Sequence, residues 1–299
     1  MTEKRLLIIS GTHGNEINPI WAVKKFKKLS SFDINNSNLE FTVGNPNACD
    51  KGLRYIDVDL NRSFNVKKTS NNSSEFYEVR RAEYLLNQFG INGSRPCHVA
   101  IDLHTTTSSM GTSIVMYGRR KKDFYLAAVL QNKFGLPIYL HEKDQKQTGF
   151  LVEAWPSGLV IEIGPVAQNH YDSRIVERFL MILHFLKNII SDLKNLEINL
   201  PEEVNVFVHQ KSIDYPRDAN EIINALIHPD RINKDWEIIK KGDPLFLDIY
   251  GKTIIYDEDE LSYPVFIGEA AYREKRIAMS FTKKEIIKCS KDWIEEFLI

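Results

Sequence analysis

Cysteine is scarce in this 299-residue chain: there are three, Cys49, Cys97 and Cys289, odd in number and far apart. No CxxC pair occurs, which removes both a disulfide framework and a thiolate zinc site. Long apolar runs are also missing. The apolar part of the opening "MTEKRLLIIS" is too short for a signal peptide, and no stretch approaches the length of a membrane span. There is no basic excess either. Lys plus Arg number 39 against 40 Asp plus Glu, a formal charge of −1, so no nucleic-acid partner is expected. The basic clusters Arg119-Arg120-Lys121-Lys122 and Lys24 to Lys28 read as solvated faces. GxxxxGK with a following Ser or Thr, GxGxxG and GxSxG are all absent. Nucleotide hydrolysis, dinucleotide binding and α/β-hydrolase chemistry therefore lack their usual marks. The simplest expectation is a soluble, cytoplasmic protein with no membrane partner. A homo-oligomer is left open.

The 43% hydrophobic content is ample for one large core or two unequal domains. "RLLIIS" (5–10) reads as a strand buried on both faces, because nearly every side chain is apolar rather than every second one. Residues 17–29 carry Ile17, Ile20, Trp21, Phe26 and Leu29 at helical spacing. Further strands are expected at 39–45, 98–104, 113–118, 136–141 and 159–164, with helices over 75–89, 121–134 and 171–193. This alternation predicts an α/β fold, a sheet covered by helices. After residue 195 the segments become short, strand-like and turn-separated. The expected division is a catalytic domain over 1–196 and a smaller β-rich C-terminal domain over 197–299.

Polar residues at strand ends carry the chemistry. "GTHGNE" (11–16) places His13 and Glu16 just past the first strand, His104 ends "HVAIDLH", and Glu162 lies inside "LVIEIG". In an open α/β sheet, ligands gather outside the carboxyl ends of the strands. Two imidazoles and one carboxylate suit zinc and leave a fourth position for water. An HxxE by itself is a weak signal, more often chance or a surface ion pair than a ligand pair. Gly11 and Gly14 would let the backbone turn tightly behind a metal. Asp102, two residues before His104, either orients that imidazole or is a paired structural aspartate. Glu162, among Val160, Ile161 and Ile163, is either a salt-bridged core glutamate or a general base with a task that repays its burial. "RYIDVDLNRSF" (54–64) gathers Arg54, Asn61 and Arg62, an anion clamp if it borders the crevice and a charged surface loop if not. The remaining histidines show no ligand spacing.

Several motifs run in a familiar order: "GTHGNE", "RYIDVDLNRSF", "YEVRRA", "DLHTTTSSMG", "IEIGP", "DYPRD", "IHP", "GDPLF", "GKTI", "YPVF" and "GEAAY". From about residue 5 to residue 277 the chain resembles the aspartoacylase/succinylglutamate desuccinylase family, whose main domain is zinc carboxypeptidase-like. The resemblance implies one Zn2+ per chain on His13, Glu16 and His104, with Glu162 as the catalytic glutamate. It implies substrate contacts at Arg54, Asn61, Arg62 and Tyr272, the last supplied by the second domain closing over the crevice. The implied reaction is hydrolysis of a small-molecule N-acyl amino acid, N-acetyl-L-aspartate foremost. Glu162 would take a proton from a metal-acidified water and return it to the leaving nitrogen, Arg54 would assist the oxyanion, and Asn61 with Arg62 would hold the α-carboxylate.

One departure bears on specificity. Aspartoacylases carry an additional arginine upstream of the catalytic glutamate for the substrate's side-chain carboxylate. Here that position falls at Phe150, with lysines only at Lys143 and Lys146, and the spacing to Glu162 is about two residues longer. Losing one charged hydrogen-bonding partner costs ~1.5–3 kcal/mol. A deacylase of N-acetyl aromatic amino acids or mercapturates, a desuccinylase, a peptide carboxypeptidase, and a non-catalytic zinc or acyl-amino-acid binder are the alternatives.

Overall fold

The structure, a computed structural model, describes residues 4–29, 38–64, 75–142, 147–192 and 200–298. Its first part runs β1 (Leu6–Ser10), α1 (Ile17–Leu29), β2 (Leu39–Val43), α2 (Pro46–Lys51), α3 (Tyr77–Phe89) and β3 (Val99–Thr105). β4 (Thr112–Tyr117), α4 (Lys121–Phe134), β5 (Ile138–His141), β6 (Ser157–Ile163) and α5 (Ser173–Asp192) follow. Apart from the short α2, which the sequence pattern did not suggest, these match the predicted elements to within two residues at each end. The α/β fold expected from the alternation is the one the chain forms.

One nine-stranded mixed sheet orders these elements as β11-β12-β7-β5-β4-β6-β3-β1-β2. β7 (Glu203–Ile213) pairs parallel with β5, and β12 (Met279–Lys288) and β11 (Tyr263–Val265) extend the sheet in antiparallel fashion. The sheet is therefore continuous across the point where the sequence texture changes. A separate antiparallel sheet is built from β8 (Ala225–Ile227), β9 (Pro244–Asp248) and β10 (Thr253–Ile255). The C-terminal stretch is not all strand. It ends in α6 (Lys291–Leu298), which returns to α4 through the ring pairs Phe124–Trp293 at 5.0 Å and Tyr125–Phe297 at 4.6 Å.

The continuous apolar run of β1 follows from its place in the middle of the sheet. Leu6 and Ile8 enter the core covered by α1, α4, α5 and α6, while Leu7 and Ile9 enter the opposite core beneath α3. Alternate side chains of a strand point to opposite faces, so both parities must be apolar. All four are essentially fully buried, each contributing ~1.5–3 kcal/mol relative to exposure. The same parity decides where the polar residues go. On β6, Leu159, Ile161 and Ile163 face the first core, which leaves Val160 and Glu162 on the second face. On that face the described cover is α3 and short turns rather than a full helical layer, so a crevice remains.

The turn after β1 depends on two glycines for different reasons. Gly11 adopts φ +68°, a left-handed conformation that L side chains resist. Gly14 is needed for proximity: a Cβ there would lie 2.1 Å from the backbone carbon of Ala48 in α2. Gly14→Ala should therefore force the turn off α2 and cost at least the ~1–3 kcal/mol of an overpacked core. Urea unfolding of the variant measures this, and an unchanged midpoint would show that α2 yields freely.

Candidate active site

β6, β3 and β1 are adjacent and mutually parallel, so their carboxyl ends open on one edge of the sheet. Neighbouring strands lie ~4.8 Å apart. Groups borne at or just beyond three such ends can therefore meet. His13 and Glu16 follow β1, His104 is the penultimate residue of β3, and Glu162 stands beside it in register on β6. Arg54, Asn61, Arg62 and Tyr272 line the same crevice. All eight residues singled out in the sequence thus surround one cleft.

The centre of the cleft is the Glu16 carboxylate. Its Oε1 lies 2.7 Å from His13 Nδ1, and its Oε2 lies 3.1 Å from His104 Nδ1 and accepts a 2.9 Å hydrogen bond from Thr105 N–H. Each imidazole is held from behind. His13 Nε2 is 3.1 Å from Asp59 Oδ1, and His104 Nε2 is 2.7 Å from Asp102 Oδ2. Asp102 in turn accepts from Thr12 Oγ at 2.7 Å, and Asp59 from Asn61 N–H at 2.9 Å. All of these groups are buried or nearly so. Each imidazole therefore stands between two carboxylates, one at each ring nitrogen, an arrangement that is repulsive unless positive charge, a proton or a cation, lies between the inner nitrogens and Glu16.

The titration behaviour expresses the same demand. Burial would raise the Glu16 carboxyl, but His13 and His104 outweigh it and hold its pKa well below the carboxylate range. Burial would likewise strip the His104 proton, yet Asp102 and Glu16 carry its pKa well above that of an ordinary histidine. The ligand atoms of His13, Glu16 and His104 lie within 4.8 Å of one another. Two neutral imidazoles and one carboxylate, each imidazole backed by an aspartate, fit a divalent transition metal better than a proton.

Around this centre the loop 54–62 is fixed from beneath. Glu78, fully buried in α3, accepts from the backbone N–H groups of Ile56, Asp57 and Val58 at 2.6, 3.0 and 3.2 Å, and from Asn45 Nδ2 at 2.9 Å. Arg54 thereby reaches Glu16 Oε1 at 3.5 Å and Asp59 Oδ2 at 3.3 Å, while its buried Nε has no partner. Burial opposes its charge, but Asp59 and Glu16 hold the guanidinium pKa above its usual value. The Asn61 side-chain oxygen accepts from Leu151 N–H at 2.8 Å, so its NH2 is what it can offer a ligand. Arg62 donates to the Asn61 carbonyl at 2.8 Å and to Gln147 Oε1 at 3.0 Å, and its guanidinium lies 3.9 Å over the Phe150 ring. Phe150 stacks on Tyr117 at 3.7 Å. Lys143 and Lys146 lie outside the described residues.

Glu162 is the odd member of the set. Its Oε2 is buried without a hydrogen-bond partner. Burial first, then the nearby Glu16 and Glu269 carboxylates, push its pKa up to about 8 against the opposing pull of His104 and Arg54. Facing it, Tyr272 sits in a short 3-10 segment, Ala270–Lys275, and packs on Phe266 at 5.3 Å. Glu269 caps that segment through Ala271 N–H at 2.9 Å and also accepts from the Thr106 hydroxyl and, at 2.8 Å, from Thr107 N–H. The C-terminal part is thus tied to the loop after His104.

The residues 2–189 match the succinylglutamate desuccinylase/aspartoacylase catalytic domain, and residues 202–284 match the AstE/AspA barrel-sandwich hybrid domain. The chain belongs to the succinylglutamate desuccinylase/aspartoacylase family. Within that family it is 63% identical over 298 residues to a probable aspartoacylase of Prochlorococcus marinus strain MIT 9215, covering 99% of both chains. The probable aspartoacylase of strain NATL2A is 49% identical, covering 98% of this chain and 96% of the relative. Among solved structures, murine aminoacylase 3 superposes with a TM-score of 0.85 at 26% identity, over 97% of this chain and 98% of that one. Succinylglutamate desuccinylase from Vibrio parahaemolyticus shares the fold, with a TM-score of 0.63 at 17% identity over 96% and 83%.

Sequence reasoning passed over three carboxylates of this family site. Asp59 has no signal beyond lying two residues before Asn61. Glu78 sits within the quoted "YEVRRA" but looks like any exposed helical acid. Glu269 lies in "GEAAY", where the tyrosine drew attention instead. Each works through tertiary partners 46 to 163 residues away or at closer spacings of about 20 residues.

The backing aspartates give a direct measurement. Chelator-stripped protein titrated with a divalent transition metal should take up one equivalent, and Asp59→Asn or Asp102→Asn should each weaken uptake ~10–100-fold. Wild-type affinity in both variants would show that the imidazoles are not held for a metal.

Proposed function

We propose that this chain is a zinc-dependent amidohydrolase that deacylates small N-acyl amino acids, with N-acetyl-L-aspartate giving L-aspartate and acetate as the preferred reaction. The observation that carries the reading is the buried, partnerless oxygen of Glu162 standing beside His104, in a cleft that also holds His13, Glu16 and Arg54. The fold family, the probable aspartoacylases and aminoacylase 3 support the same chemistry.

His13, Glu16 and His104 would hold the zinc, one per chain. When bound, it supplies a Lewis acid for the amide carbonyl and lowers the pKa of a coordinated water toward ~7. Glu162 has the role of proton carrier. In the metal-free cleft its carboxyl is largely protonated near neutral pH. With a cation on His13, Glu16 and His104 its pKa would fall, and the unpartnered oxygen would accept the proton of the attacking water and then deliver it to the departing nitrogen. Arg54 is aimed by Asp59 and Glu16 and donates to the oxygen on which negative charge develops. Asn61 NH2 and Arg62 bind the α-carboxylate, with Arg62 exchanging two neutral acceptors for a charged one. Tyr272 closes the cleft from the β-rich part, 197–299, which we infer caps the catalytic part, 1–196.

A second reading rests on Phe150. Its stack with Tyr117 and the bordering Tyr139 and Phe266 form an aromatic wall beside Glu162, which favours N-acetyl aromatic amino acids or mercapturates. A substrate panel of N-acetylaspartate, N-acetyltyrosine, an S-conjugate of N-acetylcysteine and N-succinylglutamate separates the two. Glu162→Gln should keep its zinc and lose ~10²–10⁴-fold in kcat. Full turnover in that variant overturns the role of Glu162, and bound zinc without hydrolysis of any panel member overturns the hydrolase.

A further inference from the structure

The opposite edge of the sheet, where β1, β3 and β6 begin, carries a pocket of about 140 Å³. Lys4 and His98 stand just before β1 and β3, and Lys122 lies in the first turn of α4. Ile91, Pro156 and Phe297 of α6 supply an apolar wall. A strand rises ~3.3 Å per residue, so the length of β3 sets His98 and this pocket ~20 Å from His104 and the cleft. The cations at this edge fall into two groups. Arg5 pairs with Glu40, Arg120 with Asp123 at 2.6 Å, and Lys121 with Glu296 at 2.9 Å. Those three point away from the pocket's lining. Among the described residues, no ion pair or hydrogen bond holds the ammonium of Lys4 or of Lys122. Lys4 Nζ touches only the Phe297 ring, 5.7 Å from its centroid.

His98 adds a third donor. Its Nδ1 accepts from Arg5 N–H at 3.3 Å, which places the ring hydrogen on Nε2. The like charges are close enough to oppose one another. Burial first and then Lys122 hold the Lys4 ammonium below its ordinary pKa, and burial, Lys4, Lys122 and Arg5 do the same to the His98 imidazole. No carboxylate counters either effect. Three half-buried donors that share a positive field and have no acceptor among them suit an anion. The wall decides which kind. Phe297 is buried at the base and Ile91 is half-exposed at the rim, so an occupant with an apolar body covers surface that a bare inorganic anion leaves wet. The space matches one ring, since an apolar cavity of about 150 Å³ takes up benzene.

We propose that Lys4, His98 and Lys122 bind a small organic carboxylate, its charged end between the three nitrogens and its apolar body, up to the size of one ring, against Phe297 and Ile91. The site shares no residue with the cleft and is independent of the deacylation reading. Its occupant ties the starts of β1 and β3 to α4 and α6, and so stabilises the folded chain by the free energy of its binding.

The test follows the histidine NMR signals of the zinc-loaded full chain at low ionic strength, with His98→Gln identifying the His98 signal. The probes are benzoate, its neutral counterpart benzyl alcohol, and inorganic phosphate. Benzoate should move the His98 signal saturably, and benzyl alcohol should leave it in place. Lys4→Gln and Lys122→Gln should each weaken benzoate about 10–100-fold at His98, the worth of one charged hydrogen bond. Neither ammonium has a partner to lose, so both variants should fold. Benzoate that binds in the cleft moves the His13 and His104 signals instead, which keeps the two sites apart in one titration. A His98 signal that no anion moves overturns the proposal, as does benzoate affinity unchanged in both lysine variants. Phosphate binding as tightly as benzoate overturns the organic carboxylate.

Discussion

A carboxylate buried between two imidazoles governs this molecule. Glu16 lies 2.7 Å from one Nδ1 and 3.1 Å from the other, and both imidazoles have already committed their outer nitrogens to aspartates. Electron pairs facing one another in a dry cleft must share a positive charge, and a divalent ion meets three donors at once where a proton meets two. The surroundings are arranged around that requirement. Glycine at position 14 lets the turn seat on α2, Thr12 and Asn61 steady the outer aspartates, and Thr105 N–H fixes the inner carboxylate.

The cleft owes its location to strand order. Because β6, β3 and β1 are adjacent and parallel, Glu162, His104 and the His13-Glu16 turn arrive at the same edge without any long loop having to bring them there. Side-chain parity then puts Glu162 on the face that lacks a full helical cover. The C-terminal part reaches this edge by extending the same sheet through β7, β12 and β11. Glu269 fastens its 3-10 segment to the loop after His104, so Tyr272 is positioned relative to His13, Glu16 and His104 by hydrogen bonds rather than by loose apposition.

Specificity and chemistry are separated in space. The groups proposed to handle protons and developing charge, Glu162 and Arg54, are buried beside the sheet edge, while those proposed to read the substrate, Asn61, Arg62 and Tyr272, line the cleft around them. Phe150 and Tyr117 form an apolar backing for Arg62, and a guanidinium stacked on a ring keeps its plane while remaining able to fork toward a carboxylate.

Hydrophobic periodicity alone determined most of the secondary structure, because a strand buried on both faces and a helix buried on one leave different repeats in the chain. His13, Glu16, His104 and Glu162 were legible for a related reason: polar residues at the ends of apolar strands have few structural explanations. The roles of Arg54, Asn61 and Arg62 stayed open between clamp and surface loop until the loop was seen lining the cleft, and Tyr272 came only from resemblance. Asp59, Glu78 and Glu269 could not be read from the chain. What distinguishes a carboxylate that holds a loop is the set of atoms around it, and folding alone assembles that set from segments up to 163 residues apart.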